Sequence, residues 1–408
     1  MTSLLPITVR KDFPLLTHHR QLTYLDTASS ALTPHCVIDA IQEYYTQYGV
    51  NIARGLYAES IRATEAYEQA REYVATFLHT TPETIVFTGG TTDALSLLAQ
   101  GIPEQKDDVI VATVSDHHAN FVPWQQRAAR NGTRFVPWHC NHNGHLRETV
   151  NTIPPDTTIC ALPHVSNVLG TENDLRDLCA AIRKRAPRAV IVVDAAQSAP
   201  HRPLHVETYG CDFLVFSGHK CYGPTGVGVL WGTSSALKTL TPLRTGGEMV
   251  RRVTCETSTF KEPPHGLEAG TPPIAQVIGL GAAVRYLQQL GMDAVAEHDR
   301  RCVAYALRVL RERLGNDGDI IGMPHEYERC GLISITLRGC HPHDVAHLLA
   351  EERIAVRAGT HCAQPLHDAL GVNATLRLSF GLYTTPEDID RAVNVLHRSI
   401  RRLRPPSP

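Results

Sequence analysis

The chain has 408 residues, 43% hydrophobic and 20% charged, with a formal net charge of −2. That balance is ordinary for a globular protein; it leaves no electrostatic footprint for nucleic acid or an anionic membrane, and no apolar run reaches the roughly 18 residues a membrane span needs. The length exceeds the roughly 250–300 residues at which single cores stop growing, so two packed domains are expected.

Residues 1–10 lack a charged region followed by a long apolar stretch, so no secretory signal is expected. Helical patterns cover 34–48 and 60–79. From 84 to 231, short apolar runs alternate with helical patterns. The spacing predicts strands at 84–88, 108–114, 134–138, 158–163, 189–194, 212–217 and 226–231, and helices at 91–100, 121–131 and 174–185. Val, Ile, Phe and Leu fill these runs with little polar alternation, as in strands buried on both faces. The fold class is therefore α/β, a mostly parallel seven-stranded sheet with helices on both faces.

Helical patterns follow at 275–290 and 292–314, then a strand at 331–337, a helix at 342–353, strands at 354–357 and 375–380, and a helix at 386–403. This is a smaller C-terminal α+β domain, and the tail over 401–408 reads as frayed. The expected organisation is an N-terminal segment, 1–22, packed on the small domain, then a large domain over 23–285 and a small domain over 286–408.

Ligands of open α/β sheets sit beyond the carboxyl ends of the strands. After the first strand, Gly89-Gly90-Thr91-Thr92-Asp93 opens a helix, which is a phosphate cradle or only a capped glycine turn. After the second comes Ser115-Asp116-His117-His118-Ala119-Asn120, where a histidine can stack on a flat ring or simply cap a helix. After the fourth, His164-Val165-Ser166-Asn167 offers an amide to a ligand hydroxyl or carboxylate. Asp194 ends the fifth strand behind Val190-Ile191-Val192-Val193; a carboxylate there needs a cation or donors to offset its burial.

The sixth strand ends in Ser217-Gly218-His219-Lys220. A lysine at the mouth of an apolar sheet is desolvated, which lowers its pKa and makes it a nucleophile. Only six lysines stand among the 39 basic residues, so the search for a catalytic amine is short. An amine, a carboxylate, a stacking histidine and a phosphate cradle are together what pyridoxal phosphate (PLP) asks of a protein.

At Ser217-Gly218-His219-Lys220 and Val193-Asp194-Ala195-Ala196-Gln197 the chain resembles the fold-type-I PLP enzymes of the class V aminotransferase superfamily. More narrowly it resembles the group II cysteine desulfurases and selenocysteine lyases. The resemblance runs nearly end to end. It includes Tyr24-Leu25-Asp26-Thr27-Ala28, Arg54-Gly55, Glu268-Ala269-Gly270-Thr271-Pro272, Arg377 and the run from Val356 to Pro365 that holds Thr360-His361-Cys362.

That resemblance implies the following roles. Lys220 holds PLP as a Schiff base, Asp194 pairs with the ring nitrogen, Gln197 bonds the ring oxygen, and His117 stacks on the ring. Thr91, Thr92, Ser217 and His219 hold the phosphate, and Gly270 and Thr271 reach the phosphate of a second subunit, which makes a homodimer. Asn167, Arg377, Arg357 and Arg54 bind the substrate, L-cysteine or L-selenocysteine. Cys362 accepts the sulfur as a persulfide and passes it to an acceptor protein, as in iron-sulfur cluster assembly.

The residues themselves lend Cys362 thinner support. It lies in a loop after a strand, beside His361 and near Arg357, groups that favour a thiolate. Eleven scattered cysteines without a C-x-x-C pair fit a reducing cytoplasm. Asp116, Ala53 and Thr360 depart from the family's usual residues, the last two at the mouth of the site. The run His139-Cys140-Asn141-His142-Asn143-Gly144-His145 has no regular ligand spacing, and no metal is expected. The alternatives are a selenocysteine lyase, a β-eliminating C–S lyase, and a non-catalytic relative that keeps the fold.

Overall fold

The computed structural model describes residues 7–403. Seven strands build the central sheet: β1 (Ile85–Thr88), β2 (Val109–Thr113), β3 (Arg134–Trp138), β4 (Ile159–Pro163), β5 (Val190–Asp194), β6 (Phe213–Ser217) and β7 (Gly228–Gly232). Their order is β1-β7-β6-β5-β4-β2-β3. β7 runs antiparallel to both neighbours, and every other pair is parallel.

The apolar runs form strands because helices cover both faces. Along β5, Val192 packs into one core with Ile110, Val215 and Leu230, while Ile191 and Val193 face a second core with Leu162, Phe216 and Val277. Each fully buried side chain of this kind stabilises the fold by roughly 1.5–3 kcal/mol. β3 is the exception: it lies at the sheet edge, is only partly buried, and tolerates Pro137 there.

Helices α1 (Thr91–Gly101), α2 (Val122–Asn131) and α3 (Leu175–Arg185) connect the strands. Asp174 starts α3 by accepting the N–H groups of Arg176 and Asp177 at 3.0 and 3.2 Å, an N-cap that satisfies two otherwise orphaned donors. Beyond β7, a hairpin of β8 (Val250–Val253) and β9 (Ser258–Phe260) projects into solvent. The sequence reading contains no such hairpin, because its strands bury almost nothing and carry no apolar pattern.

Helices α4 (Ile274–Leu290) and α5 (Met292–Leu314) lead to an antiparallel sheet of order β10-β11-β13-β12. Its strands are β10 (Gly318–Ile320), β11 (Leu332–Leu337), β12 (Arg357–Gly359) and β13 (Thr375–Ser379). A third core joins this sheet to α5 and to the C-terminal helix α6 (Pro386–Leu403) through Leu310, Ile333, Leu378 and Ile389.

Three expectations need correction. The strand expected over 354–357 is two pieces: Ile354 and Ala355 pair in parallel with Thr23 and Tyr24, and only from Arg357 does the chain join β13. The N-terminal segment straddles both parts of the molecule. Arg10 reaches Asp388 at 2.7 Å, but Val9, Phe13 and Leu16 pack into a core of the large sheet. The tail expected to fray continues α6 through Leu403, and 404–408 lie outside the described residues.

Candidate active site

The carboxyl ends of the large sheet and the rim of the small one enclose a cavity of about 220 Å³. Thr91 and Thr92 border it after β1, His117 after β2 and Asn167 after β4. Asp194 and Gln197 follow from β5, and Ser217, His219 and Lys220 from β6. The elements around the small antiparallel sheet contribute Arg357, His361, Cys362 and Arg377.

One end of the cavity is built for an anion. Ser217 Oγ accepts the Thr91 N–H at 2.8 Å and lies 2.8 Å from Thr91 Oγ1, which locks the start of α1 to the end of β6. The N–H groups of Thr92 and Asp93 in the first turn have no acceptor among the described residues, so they and the helix dipole face the cavity unspent. Gly90 adopts φ 146°, and a Cβ on Gly228 would come within 2.5 Å of Gly90 Cα. Both glycines are therefore needed for the backbone to pass this closely. His219 lines the same end and lies 3.3 Å from Ser30 Oγ through Nδ1.

Asp194 is buried, and its Oδ1 accepts the Ala196 N–H at 2.8 Å. Burial raises its carboxyl pKa, while the charge of Lys220 opposes that rise. The Lys220 amine has neither hydrogen bond nor ion pair among the described residues. Desolvation lowers its pKa, and Asp194 offsets only part of the effect. His117 Nδ1 accepts the Ala119 N–H at 3.1 Å, which leaves the ring proton on Nε2. Burial, and then Lys220, bring its pKa down to about 3, so the imidazole is neutral. Asp116 fixes this turn: its Oδ1 accepts the His117 N–H at 2.7 Å and its Oδ2 accepts Asn120 Nδ2 at 2.6 Å. Burial and the nearby Asp194 push its carboxyl well above the usual range.

The opposite wall is cationic. Arg377 is buried; its Nη1 donates to the Asn167 carbonyl at 2.8 Å and its Nε has no partner. Burial lowers its pKa to about 10. Asp26 lies 3.7 Å from Arg377 and accepts Arg357 Nη2 at 2.8 Å, so one carboxylate orients two arginines. Cys362 is exposed to the cavity mouth on a turn in which His361 has φ 52° and Cys362 φ 56°. Two successive left-handed non-glycine residues cost about 1–2 kcal/mol each, so other contacts must hold the turn.

Three sequence-derived candidates lie elsewhere. Arg54 is exposed and sits 3.5 Å from Glu248, and the structure does not bring it to the cavity. Gly270 and Thr271 line a separate cavity of about 210 Å³ beside Gly89 and Glu268. Sequence reasoning gave no role to Asp26 or His118, and it set His361 beside Cys362 as a group favouring the thiolate; burial lowers the His361 pKa to about 2, so that imidazole is neutral and lends no positive charge. Asp26 acts on an arginine 331 positions away, and no local pattern signals that. The run from His139 to His145 forms a turn in which Asn141 Oδ1 accepts the N–H groups of Asn143 and His145.

These residues fit PLP. The unpartnered amine, the buried carboxylate beside it, the open helix start and the glycine-lined approach are the groups that cofactor requires. A family model described as aminotransferase class-V matches residues 23–392, and fold and site together define a PLP-dependent enzyme of that class. A "Probable cysteine desulfurase" of Halalkalibacterium halodurans is 41% identical over 400 residues, covering 96% of this chain and 97% of its own. The apo structure of a cysteine desulfurase from Thermococcus onnurineus NA1 matches with a TM-score of 0.93 at 35% identity, over 99% of this chain and 100% of that one. The Escherichia coli cysteine desulfurase CsdA, in an S-sulfonic acid form, matches with a TM-score of 0.87 at 37% identity, over 98% and 100%. The chain belongs to the class-V aminotransferase family, among its cysteine desulfurases.

Proposed function

We infer that the protein takes the sulfur from L-cysteine, releases L-alanine, and carries the sulfur as a persulfide on Cys362. The observation that carries this reading is the meeting of Lys220, Asp194 and Cys362 around one cavity of about 220 Å³. A PLP enzyme needs the first two; a thiol at the mouth is what sulfur transfer adds.

When bound, PLP supplies an electron sink next to the substrate's Cα. Lys220 is the residue that would hold it, with Asp194 at the ring nitrogen, Gln197 at the ring oxygen, His117 against the ring, and Thr91, Thr92, Ser217 and His219 at the phosphate. Arg377, its Nε unspent, binds the substrate carboxylate together with Asn167, and Arg357 adds positive charge at the mouth. Desolvation favours the neutral amine of Lys220, which takes the Cα proton at Nζ. Cys362 Sγ, as a thiolate, attacks the substrate sulfur: an S–S bond forms, the C–S bond breaks, and the carbon gains a proton. The balance is L-cysteine plus the Cys362 thiol giving L-alanine plus the Cys362 persulfide. Neutral His117 carries a proton at Nε2 and serves the sulfur.

The same reading includes a homodimer, an acceptor protein for the sulfur of the kind iron-sulfur assembly uses, and a cytoplasmic site. All eleven cysteines are free thiols, which supports a reducing compartment. No helix among the described residues is long and apolar enough to cross a membrane. The large domain, 23–285, supplies the cofactor groups, and the small domain, 286–408, supplies Cys362.

The test supplies L-cysteine to the PLP-loaded enzyme and measures alanine and protein-bound persulfide. Wild type should give both in equal amounts, and Cys362→Ser should give almost neither. Undiminished alanine release by Cys362→Ser would overturn the reading. Pyruvate and ammonia as products would mean β-elimination instead.

A further inference from the structure

The turn that carries Cys362 is held from two sides by one residue of the large domain. The His118 N–H donates to the Cys362 carbonyl at 2.7 Å. The Gln364 N–H donates to His118 Nε2 at 3.0 Å. The two bonds bracket Ala363, and they grip a segment whose preceding residues, His361 and Cys362, are both left-handed without being glycine. A ring nitrogen that accepts a hydrogen bond is unprotonated, and burial keeps the His118 pKa below its usual value.

We propose that His118 is the positioning residue for the sulfur-accepting thiol, clamping the 361–364 turn so that Cys362 faces the substrate sulfur. The inference rests on the assignment of Cys362 as the sulfur acceptor. His118 follows His117 directly, and Asp116 anchors both by accepting the His117 N–H. The clamp is therefore built on the rim of β2, the same rim that presents His117 to the cavity. Thiol and imidazole share one rigid support, which fixes their separation although they come from different domains. Asn167 Nδ2 holds the other end of the turn through the His361 carbonyl at 2.7 Å. It cannot replace the clamp, because it makes no bond beyond His361. Without His118 Nε2 the Gln364 N–H loses its acceptor. The strained turn keeps the backbone bond from His118 to Cys362 and the Ala363 N–H bond to the Thr360 carbonyl at 2.9 Å, but its far end can relax toward extended backbone.

The experiment compares His118→Ala with His118→Gln in the PLP-loaded enzyme, because the glutamine side chain offers a carbonyl oxygen at about the reach of Nε2. Alanine release from L-cysteine should fall roughly 10- to 100-fold in His118→Ala, the scale of a misplaced reacting group, and return close to wild type in His118→Gln. Amide hydrogen exchange over 361–364 should speed up in His118→Ala alone, with PLP content and melting temperature unchanged. A loss of general stability would not produce that pattern. If His118→Ala fails to fold, His118→Met, of similar length but without the acceptor, takes its place in the comparison. Wild-type turnover without the acceptor, or unchanged exchange over the turn, overturns the clamp. An active Cys362→Ser enzyme would overturn the function instead; an inactive Cys362→Ser beside a fully active His118→Ala removes the clamp alone.

Discussion

Asn167 donates its side-chain amide to the His361 carbonyl at 2.7 Å, and this bond ties the rim of the large sheet to the cysteine turn. The same residue's backbone carbonyl accepts Arg377 Nη1 at 2.8 Å. One position thus sets both the thiol loop and the arginine; the second N–H of its Nδ2 is the donor left for a substrate carboxylate, while its Oδ1, buried without a partner, can only accept from a donor. Asn167→Ala strands the His361 carbonyl, at a cost of about 1–3 kcal/mol. The kcat/KM for L-cysteine should fall roughly 10- to 100-fold while the bound PLP absorbance persists. A steady-state assay with a cofactor count checks this; unaltered kcat/KM would refute the link.

Lys220 is the amine expected to bond PLP covalently. Borohydride reduction of the loaded enzyme, followed by peptide mapping, should place the pyridoxyl group on Lys220. Any of the other five lysines carrying the label ends the assignment.

Asp194 tests the electron sink. Its Oδ1 is spent on the Ala196 N–H, so the second oxygen is the one available to the ring nitrogen. A charge-assisted hydrogen bond contributes about 1.5–3 kcal/mol, equivalent to about 10- to 150-fold in rate. Asp194→Ala should still bind PLP but exchange the Cα hydrogen of L-alanine with D2O more slowly by that factor, as followed by NMR. An unchanged exchange rate would remove the role.

The strand-end groups of this site were legible because the sheet is dry. Val190 to Val193 and Phe213 to Phe216 are continuous apolar runs, so Asp194 and Lys220 stand out where each run stops. What joins the surroundings of the two sheets was not legible. Asp26 reaches Arg357, Asn167 reaches His361 and His118 reaches Gln364 across 331, 194 and 246 positions, and hydrogen bonds at that separation leave no periodic trace. The hairpin of β8 and β9 was missed for a related reason: Val250-Arg251-Arg252-Val253 is almost wholly exposed, so burial selected no alternation there.

Buried histidines set an acid limit on stability. Burial holds His164 at about 4 and His361 at about 2, against about 6.5 in the unfolded chain. Because the folded values are depressed, the unfolded state binds more protons below about 6.5. Stability is therefore complete above that pH and is lost as pH falls toward the folded values. Each histidine should cost on the order of 1 kcal/mol per pH unit between pH 6 and 4.5. Urea unfolding at pH 7.5 and 5.5 measures the slope, and His164→Asn should flatten it. An equally steep slope in that variant would show that His164 is not a source.

The second cavity bears on the dimer. Gly270 and Thr271 line it, away from Lys220 in their own chain, and Gly270 at φ 79° has open space where a Cβ would stand. Nearby in sequence to Arg54, Leu56 is 93% exposed and Tyr57 52% exposed, and Val253 on the hairpin is 61% exposed. The Arg54–Glu248 contact links these two regions. In the proposed homodimer, large apolar side chains this open are the ones a second subunit would cover. If a second copy covers them, Gly270 and Thr271 approach the partner's phosphate cradle and each active site needs two chains. Sedimentation should then give a dimer, and Leu56→Asp should weaken it and lower PLP retention together. Mixing two inactive variants, Lys220→Ala and Thr271→Trp, should restore part of the activity, because a hybrid dimer holds one site with neither change. A fully active monomer, or two inactive variants that stay inactive when mixed under conditions where subunits exchange, would show that each chain completes its own site.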